Sequence, residues 1–88
     1  MEITLKEEVN GSSKAEMIAK SFLENRYKDL KRVLVTEISR ESGVWIVLGE
    51  IFRKRLFFTF KRWFVLKIDS KTGVIISYRE RKKQILES

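Results

Sequence analysis

The spacing of apolar residues predicts one amphipathic helix near the start of the chain, over residues 13–29. Apolar side chains recur there every three or four positions, with lysines and glutamates between them, so one helix face should dock on apolar surface. Ser13 and Glu16 have capping-box spacing, and the Asn10-Gly11-Ser12 segment before them is typical of a break. The apolar positions of this helix are Ala15, Ile18, Ala19, Phe22 and Leu23.

Beyond the helix the pattern changes to the two-residue alternation of strands. Residues 32–79 predict an antiparallel meander of four strands. Residues 1–9 favour a short strand, although a helix fits nearly as well, and residues 80–88 indicate a basic tail or a short terminal helix. We therefore expect a single α+β domain over residues 1–88, in which the amphipathic helix packs on a curved antiparallel sheet of four to five strands.

The last predicted hairpin has a self-consistent register. Lys71-Thr72-Gly73 predicts a three-residue turn in which Gly73 adopts the left-handed conformation. Leu66 would then lie opposite Tyr78, and Ile68 opposite Ile76. This register gathers the apolar side chains on one face, whereas a slip of one residue would scatter them.

The preceding hairpin is predicted with Arg53-Lys54-Arg55 as its loop, which places Phe52 opposite Leu56. Arg62 then falls on the core face, where it would snorkel at the sheet edge, close enough to pair with Glu50. The core face would carry Val44, Ile46, Leu48, Phe52, Leu56, Phe58 and Phe60. The other face would also be apolar, with lysines interleaved, and one helix cannot cover both faces.

The second apolar face is the feature with functional content. Burying a large apolar side chain stabilises by roughly 1.5–3 kcal/mol, so several exposed together need an explanation. The cover could be the protein's own termini, a second copy of the chain in a homodimer, or a different partner, protein or nucleic acid. The candidate partner-binding residues are Trp45, Val47, Ile51, Phe57, Trp63 and Val65.

Charge adds a possible anionic partner. The chain has 88 residues, 43% hydrophobic and 35% charged, and a net charge of +7. Residues 1–44 hold eight basic and eight acidic side chains, whereas residues 45–88 hold eleven basic and four acidic ones. Trp45, Phe57 and Trp63 could stack on bases while cations hold phosphates, which makes nucleic acid the alternative partner. The candidate anion contacts are Arg53, Lys54, Arg55, Lys61, Arg62, Lys67, Arg79, Arg81 and Lys82.

The composition argues against catalysis and metal binding. Histidine and cysteine are both absent, which removes the usual bases, thiol nucleophiles and zinc ligands. Glu50 could be a buried carboxylate, but no second acid or nucleophile has a recognisable spacing to it. We expect no enzyme, no cofactor and no metal. No apolar run reaches the roughly 18–20 residues of a membrane span, and the start of the chain does not resemble a signal peptide, so a cytoplasmic protein is expected.

A helix followed by four meandering strands resembles the cystatin-like superfold. The Trp45-Ile46-Val47 segment, followed by an alternating strand and Asp69-Ser70-Lys71-Thr72-Gly73, is similar to PepSY-type domains. The ending Tyr78-Arg79-Glu80-Arg81 resembles the gas vesicle protein O family. The resemblance implies a non-catalytic binding or regulatory role. The Gln-x-Val-x-Gly loop with which cystatins inhibit proteases is absent, so inhibition is not implied.

Overall fold

A computed structural model describes residues 2–82, and the side chains of residues 11–81. Its elements are α1 (Glu2–Arg26), β1 (Leu30–Glu41), β2 (Val44–Arg55), β3 (Phe58–Asp69) and β4 (Ile75–Lys82). The strands pair antiparallel in chain order, β1-β2-β3-β4. The sheet is open and slightly curled, and α1 packs on one of its faces. The expected α+β class is confirmed. The tail predicted over residues 80–88 is wrong for residues 80–82, which end β4, and its remainder lies outside the described residues.

Helix α1 is longer than the pattern predicts at its start and shorter at its end. Residues 2–9 are helical, so the preferred strand interpretation is wrong there and the helical one holds. Ser13 consequently lies inside α1 and cannot cap its start. Gly11 does not break the helix either. Its missing side chain instead makes room for Trp45. A Cβ at position 11 would lie 2.9 Å from Cζ2 of that indole.

The hydrophobic core lies between α1 and the two central strands. Ala15 and Ala19 are fully buried, and their small side chains let the helix approach the sheet closely. Leu23 continues this buried stripe one turn later. At the end of α1, the Tyr27 N–H donates to the Leu23 carbonyl at 3.0 Å. The sheet side of the core consists of Val47, Ile51, Phe64, Leu66 and Ile68.

Strand β2 is turned over relative to the prediction. The hairpin between β2 and β3 has a two-residue turn at Leu56-Phe57, and Arg55 pairs with Phe58. The predicted loop at Arg53-Lys54-Arg55 is wrong, since these residues end β2 itself. Because the turn has two residues in place of three, the pairing of β2 with β3 shifts by an odd number of residues. Every β2 side chain therefore lies on the face opposite the predicted one.

The other hairpin follows the predicted register from Arg62 to Lys67 and departs from it only beside the turn. Leu66 pairs with Tyr78 as expected, but a bulge after Lys67 brings Ile75 opposite Ile68 in place of Ile76. Gly73 has the expected left-handed conformation, with φ +79°. The carboxylate of Asp69 accepts the N–H of Lys71 at 2.8 Å and of Thr72 at 3.1 Å. These bonds favour the charged form and hold the pKa of Asp69 below its ordinary value.

Candidate functional site

The face of the sheet opposite α1, here called the open face, is the candidate site. The register of β2 and β3 contains no bulge, so alternate residues of these strands share this face without interruption. No helix or strand among residues 2–82 packs on it. Its apolar side chains, here called the apolar strip, are Leu34, Val44, Ile46, Leu48, Phe52, Trp63 and Val65.

The two large side chains at the middle of the open face are partly exposed. Leu34 on β1 is 38% exposed and Trp63 on β3 is 37% exposed. Glu50 lies between them in the register, opposite both residues, and is only 8% exposed. The apolar strip therefore surrounds one buried carboxylate. The strip is the widest apolar part of the sheet that α1 does not cover.

The acidic side chains of β1 and most of the cations lie on opposite sides of the open face. On the β1 side it carries Glu37 and Glu41, and Arg32 lies over the Phe52 ring with 5.4 Å between guanidinium carbon and ring centroid. The β3–β4 side carries cations, of which Lys61 also approaches the Phe52 ring, at 5.7 Å. The cations of that side are Lys61, Lys67, Arg79 and Arg81.

The structure divides the predicted partner-binding residues among three places. Trp63 and Val65 lie on the open face as expected. Phe57 lies at the turn of the β2–β3 hairpin and is 96% exposed. The expectation that Trp45, Val47 and Ile51 share the exposed face is wrong. They face α1, with Val47 and Ile51 fully buried, because the two-residue turn reverses β2.

The β2 residues of the apolar strip were predicted to lie in the core, and this prediction is wrong. Ile46, Leu48 and Phe52 replace Trp45, Val47 and Ile51 on the open face. The available signal was Gly49, which lies opposite Phe64 on the helix-facing side. A strand interior favours glycine where another group approaches closely, and the Phe64 ring fills that space in the observed register.

The predicted anion contacts are also divided. Lys61, Lys67, Arg79 and Arg81 lie on the open face, and Lys54 and Arg55 are exposed near the hairpin turn. Lys82 pairs with Arg62 in the backbone register, and its side chain lies outside the described residues. Arg62 lies on the helix side as expected, but on the inner strand β3, between Ile51 and Lys82, and its guanidinium is 4.9 Å from the Phe60 ring centroid. Its expected ion pair with Glu50 is wrong, since the two lie on opposite faces.

The guanidinium of Arg53 is already engaged in an ion pair within the fold. Its Nε and Nη2 atoms donate to Oδ1 and Oδ2 of Asp29 at 2.9 and 3.2 Å, and the guanidinium lies 4.1 Å from the Tyr27 ring centroid. The Lys54 N–H donates to the Asp29 carbonyl at 2.9 Å. These contacts tie the connection between α1 and β1 to strand β2. Arg53 could bind a phosphate only by giving up this bidentate pair.

Replacing Asp29 with asparagine should reduce the pH dependence of stability. The Arg53 hydrogen bond holds the pKa of Asp29 below its ordinary value, so the pair stabilises the fold above the unfolded pKa. This contribution is lost as the pH falls through the lower pKa of the folded state. Urea unfolding at neutral pH and at about pH 3 should show that acid lowers the free energy of unfolding less in Asp29→Asn than in the wild type. Glu24→Gln, at an exposed helix position, is the control, and an unchanged acid-induced loss in Asp29→Asn would contradict the assignment.

Several chemical classes of site receive no support from the geometry. Within the described residues no three acidic side chains lie close enough together to hold a metal ion, and the sequence has no histidine or cysteine. Among residues 2–82, the structure shows no helix with both the length and the apolar content of a membrane span. Comparisons of the chain with protein-family models, with curated proteins and with solved structures found no match. The resemblance to cystatin-like, PepSY-type and gas vesicle protein O domains therefore stays a prediction.

Proposed function

We propose that this protein is a non-enzymatic interaction module that self-associates through the open face of its sheet. The observation that supports the proposal is the apolar strip, with Leu34 and Trp63 both more than one third exposed. An antiparallel sheet with one solvated face usually carries polar side chains there. An apolar face beside charged residues is typical of a surface that another molecule covers.

The charge division of the open face favours a second copy as the partner. Glu37, Leu48, Val65 and Arg79 lie side by side across the four strands. A two-fold axis parallel to the strands, passing between β2 and β3, lays β1 of one copy over β4 of the other. Glu37 of each copy then faces Arg79 of the other, so the attractive pair occurs twice. The apolar strips meet between these pairs, and packed sheets tolerate the usual angle of about 30°.

The size of the open face is adequate for such a dimer. Four strands about 4.8 Å apart, over about eight residues of about 3.3 Å each, give a flat area of roughly 500 Å². Side-chain relief makes the accessible area larger than this projection. It then approaches the roughly 800 Å² that each partner contributes to a standard interface.

Exchanging the paired charges tests the proposal. Arg79→Glu and Glu37→Arg should each weaken the dimer by about tenfold, because each places like charges together twice. The double variant restores opposite charges, and its dimerisation constant should return to within about threefold of the wild type. Sedimentation equilibrium over a concentration series measures all four constants. A wild type that stays monomeric at about 1 mM, or a double variant as weak as the sum of the single variants, would contradict the proposal.

Nucleic-acid binding is the second candidate, and one arrangement favours it. Trp63 lies beside Arg81 in the register, and Lys61 lies two positions before it on the same face. An aromatic ring between cations suits stacking of a base with its phosphates held nearby. The predicted stacking partners Trp45 and Phe57 lie elsewhere in the structure, so the platform is smaller than expected.

The same variants distinguish the two candidates. Glu37→Arg adds positive charge and should strengthen binding of a single-stranded RNA oligonucleotide, whereas it should weaken the dimer. Fluorescence anisotropy at low and high salt measures RNA binding. Salt-dependent binding that rises in Glu37→Arg, together with a monomeric wild type, would replace self-association with nucleic-acid recognition.

A further inference from the structure

The end of the β2–β3 hairpin is the most exposed apolar part of the described chain. Leu56, Phe57 and Phe58, here called the hairpin tip, are 79%, 96% and 58% exposed. The register of β1 against β2 begins at Leu30 and Arg53, and the Lys54 N–H still donates to the Asp29 carbonyl. Beyond Lys54, no described strand pairs with the outer edges of this hairpin end. The hairpin tip therefore extends beyond the neighbouring strands β1 and β4.

The backbone of the hairpin tip is unfavourable for the residue that it carries. Leu56 has φ +52°, in the left-handed region, which costs a branched L-residue stability relative to glycine. Two-residue hairpin turns of this kind usually have glycine or asparagine at such a position. Leu56 is also largely exposed, so folding gains little from its side chain. An apolar residue at a strained and exposed position therefore points to a role outside the fold.

The charges that the hairpin itself carries near its tip all have one sign. No acidic residue occurs between Glu50 and Asp69 in the sequence. Lys54 and Arg55 are exposed on the β2 side of the tip, and Lys61 is exposed on the β3 side. Cations thus follow the apolar tip on both strands. Counted from Phe57 at about 3.3 Å per residue, they lie about 7, 10 and 13 Å back along the hairpin.

We propose that the hairpin tip inserts into the interface of an anionic lipid membrane, as a peripheral contact and not a span. Apolar side chains of interfacial segments reach about 5–10 Å into the boundary between headgroups and acyl chains. At that depth the lysines and arginine behind the tip lie level with the phosphates and carboxylates of the lipids. Such cations near the surface add electrostatic attraction to negatively charged lipid.

The chemistry of the tip favours lipid over the other anionic partners. Leu56 has no π-face, so its exposure contributes nothing to base stacking, whereas it gains fully from contact with hydrocarbon. The tip is convex and its cations lie on both strands, which suits a broad charged surface better than a narrow acidic peptide. The tip and the open face are different surfaces, so this inference goes beyond the proposed dimerisation and does not rest on it.

Vesicle binding by the full chain tests the proposal. The probe is sedimentation with phosphatidylcholine vesicles that contain about one third phosphatidylserine. The wild type should bind these vesicles and bind pure phosphatidylcholine vesicles more weakly. Leu56→Gly combined with Phe57→Ser should lower the affinity by about tenfold or more, because it removes most of the inserted apolar surface. Glycine suits the positive φ, so this variant should retain the fold.

The controls separate insertion from the general attraction of a basic protein. Met17→Gln removes a side chain that is 68% exposed on α1, and its vesicle affinity should match the wild type. Phe57→Trp should show a blue-shifted emission component with phosphatidylserine vesicles. Equal affinity of the Leu56→Gly, Phe57→Ser variant and the wild type would overturn the proposal. So would binding of single-stranded RNA, but not of vesicles, through the tip. Both tip variants should leave the dimerisation constant unchanged, because the tip lies outside the open face, and this keeps the test independent of the proposed dimer.

Discussion

Replacing Gly49 with alanine is expected to destabilise the fold by about 3 kcal/mol, near the upper end of overpacking effects. Gly49 lies in the interior of β2, opposite Val35 on β1 and Phe64 on β3. A Cβ at this position would collide with the backbone carbonyl oxygen of Leu34 and lie 3.0 Å from two ring carbons of Phe64. A backbone carbonyl in a paired strand cannot move away without breaking its ladder, so the sheet itself must shift.

Urea unfolding of Gly49→Ala, with Gly11→Ala as the matched control, measures this effect. The new Cβ of Gly11→Ala would meet the end of the Trp45 ring at 2.9 Å, and that side chain can tilt. Alanine also raises helix propensity by about 1 kcal/mol relative to glycine, so the net change at position 11 should stay below about 1 kcal/mol. A mild Gly49→Ala variant would show that the described register of β2 is wrong.

A lysine at position 51 is expected to prevent folding, whereas a lysine at position 63 should be tolerated. Ile51 is fully buried beneath α1 and Trp63 is 37% exposed on the open face. Burying an unpaired ammonium costs several kcal/mol, comparable with the whole stability of a small domain. Trp63→Lys loses only part of an apolar contact, about 1–2 kcal/mol, and its charge stays in water.

Circular dichroism and thermal unfolding of Ile51→Lys and Trp63→Lys compare the two faces directly. If residues 53–55 formed the hairpin loop, as the sequence predicts, both residues would lie on one exposed face. The two variants should then behave alike. The observed register expects an unfolded Ile51→Lys protein and a folded Trp63→Lys protein with weakened self-association. A folded, stable Ile51→Lys variant would contradict the assignment of Ile51 to the core.

The local patterns predicted the elements well because they depend on neighbours in the chain. The helical spacing from Ala15 to Leu23 identifies the helix face that is buried, since residues three and four apart share a face wherever the helix lies. Gly73 predicts its own turn because few other residues adopt a positive φ. The extension of α1 to Glu2 was not predicted, because the short segment 2–9 fits both periods.

The candidate site was predicted in kind but not in composition. Two apolar sheet faces follow from the sequence, because both alternating sets of β2 residues are hydrophobic. That same property conceals which set faces the helix, since Trp45, Val47 and Ile51 are as apolar as Ile46, Leu48 and Phe52. Trp63 and Val65 were placed correctly because the hairpin turn at Gly73 set the phase of β3, with Leu66 opposite Tyr78 and therefore its two neighbours on the other face.

The sequence by itself determined an α+β chain with one helix, a four-strand meander, a basic second half and more apolar sheet surface than one helix covers. Only the tertiary structure decided which face of β2 is buried, and that Leu56 and Phe57 form the turn. The physical reason is that strand side chains repeat every two residues, so one change in loop length exchanges the faces at no local cost. The choice is made by distant contacts, above all the Phe64 ring over Gly49, which bring together positions fifteen residues apart.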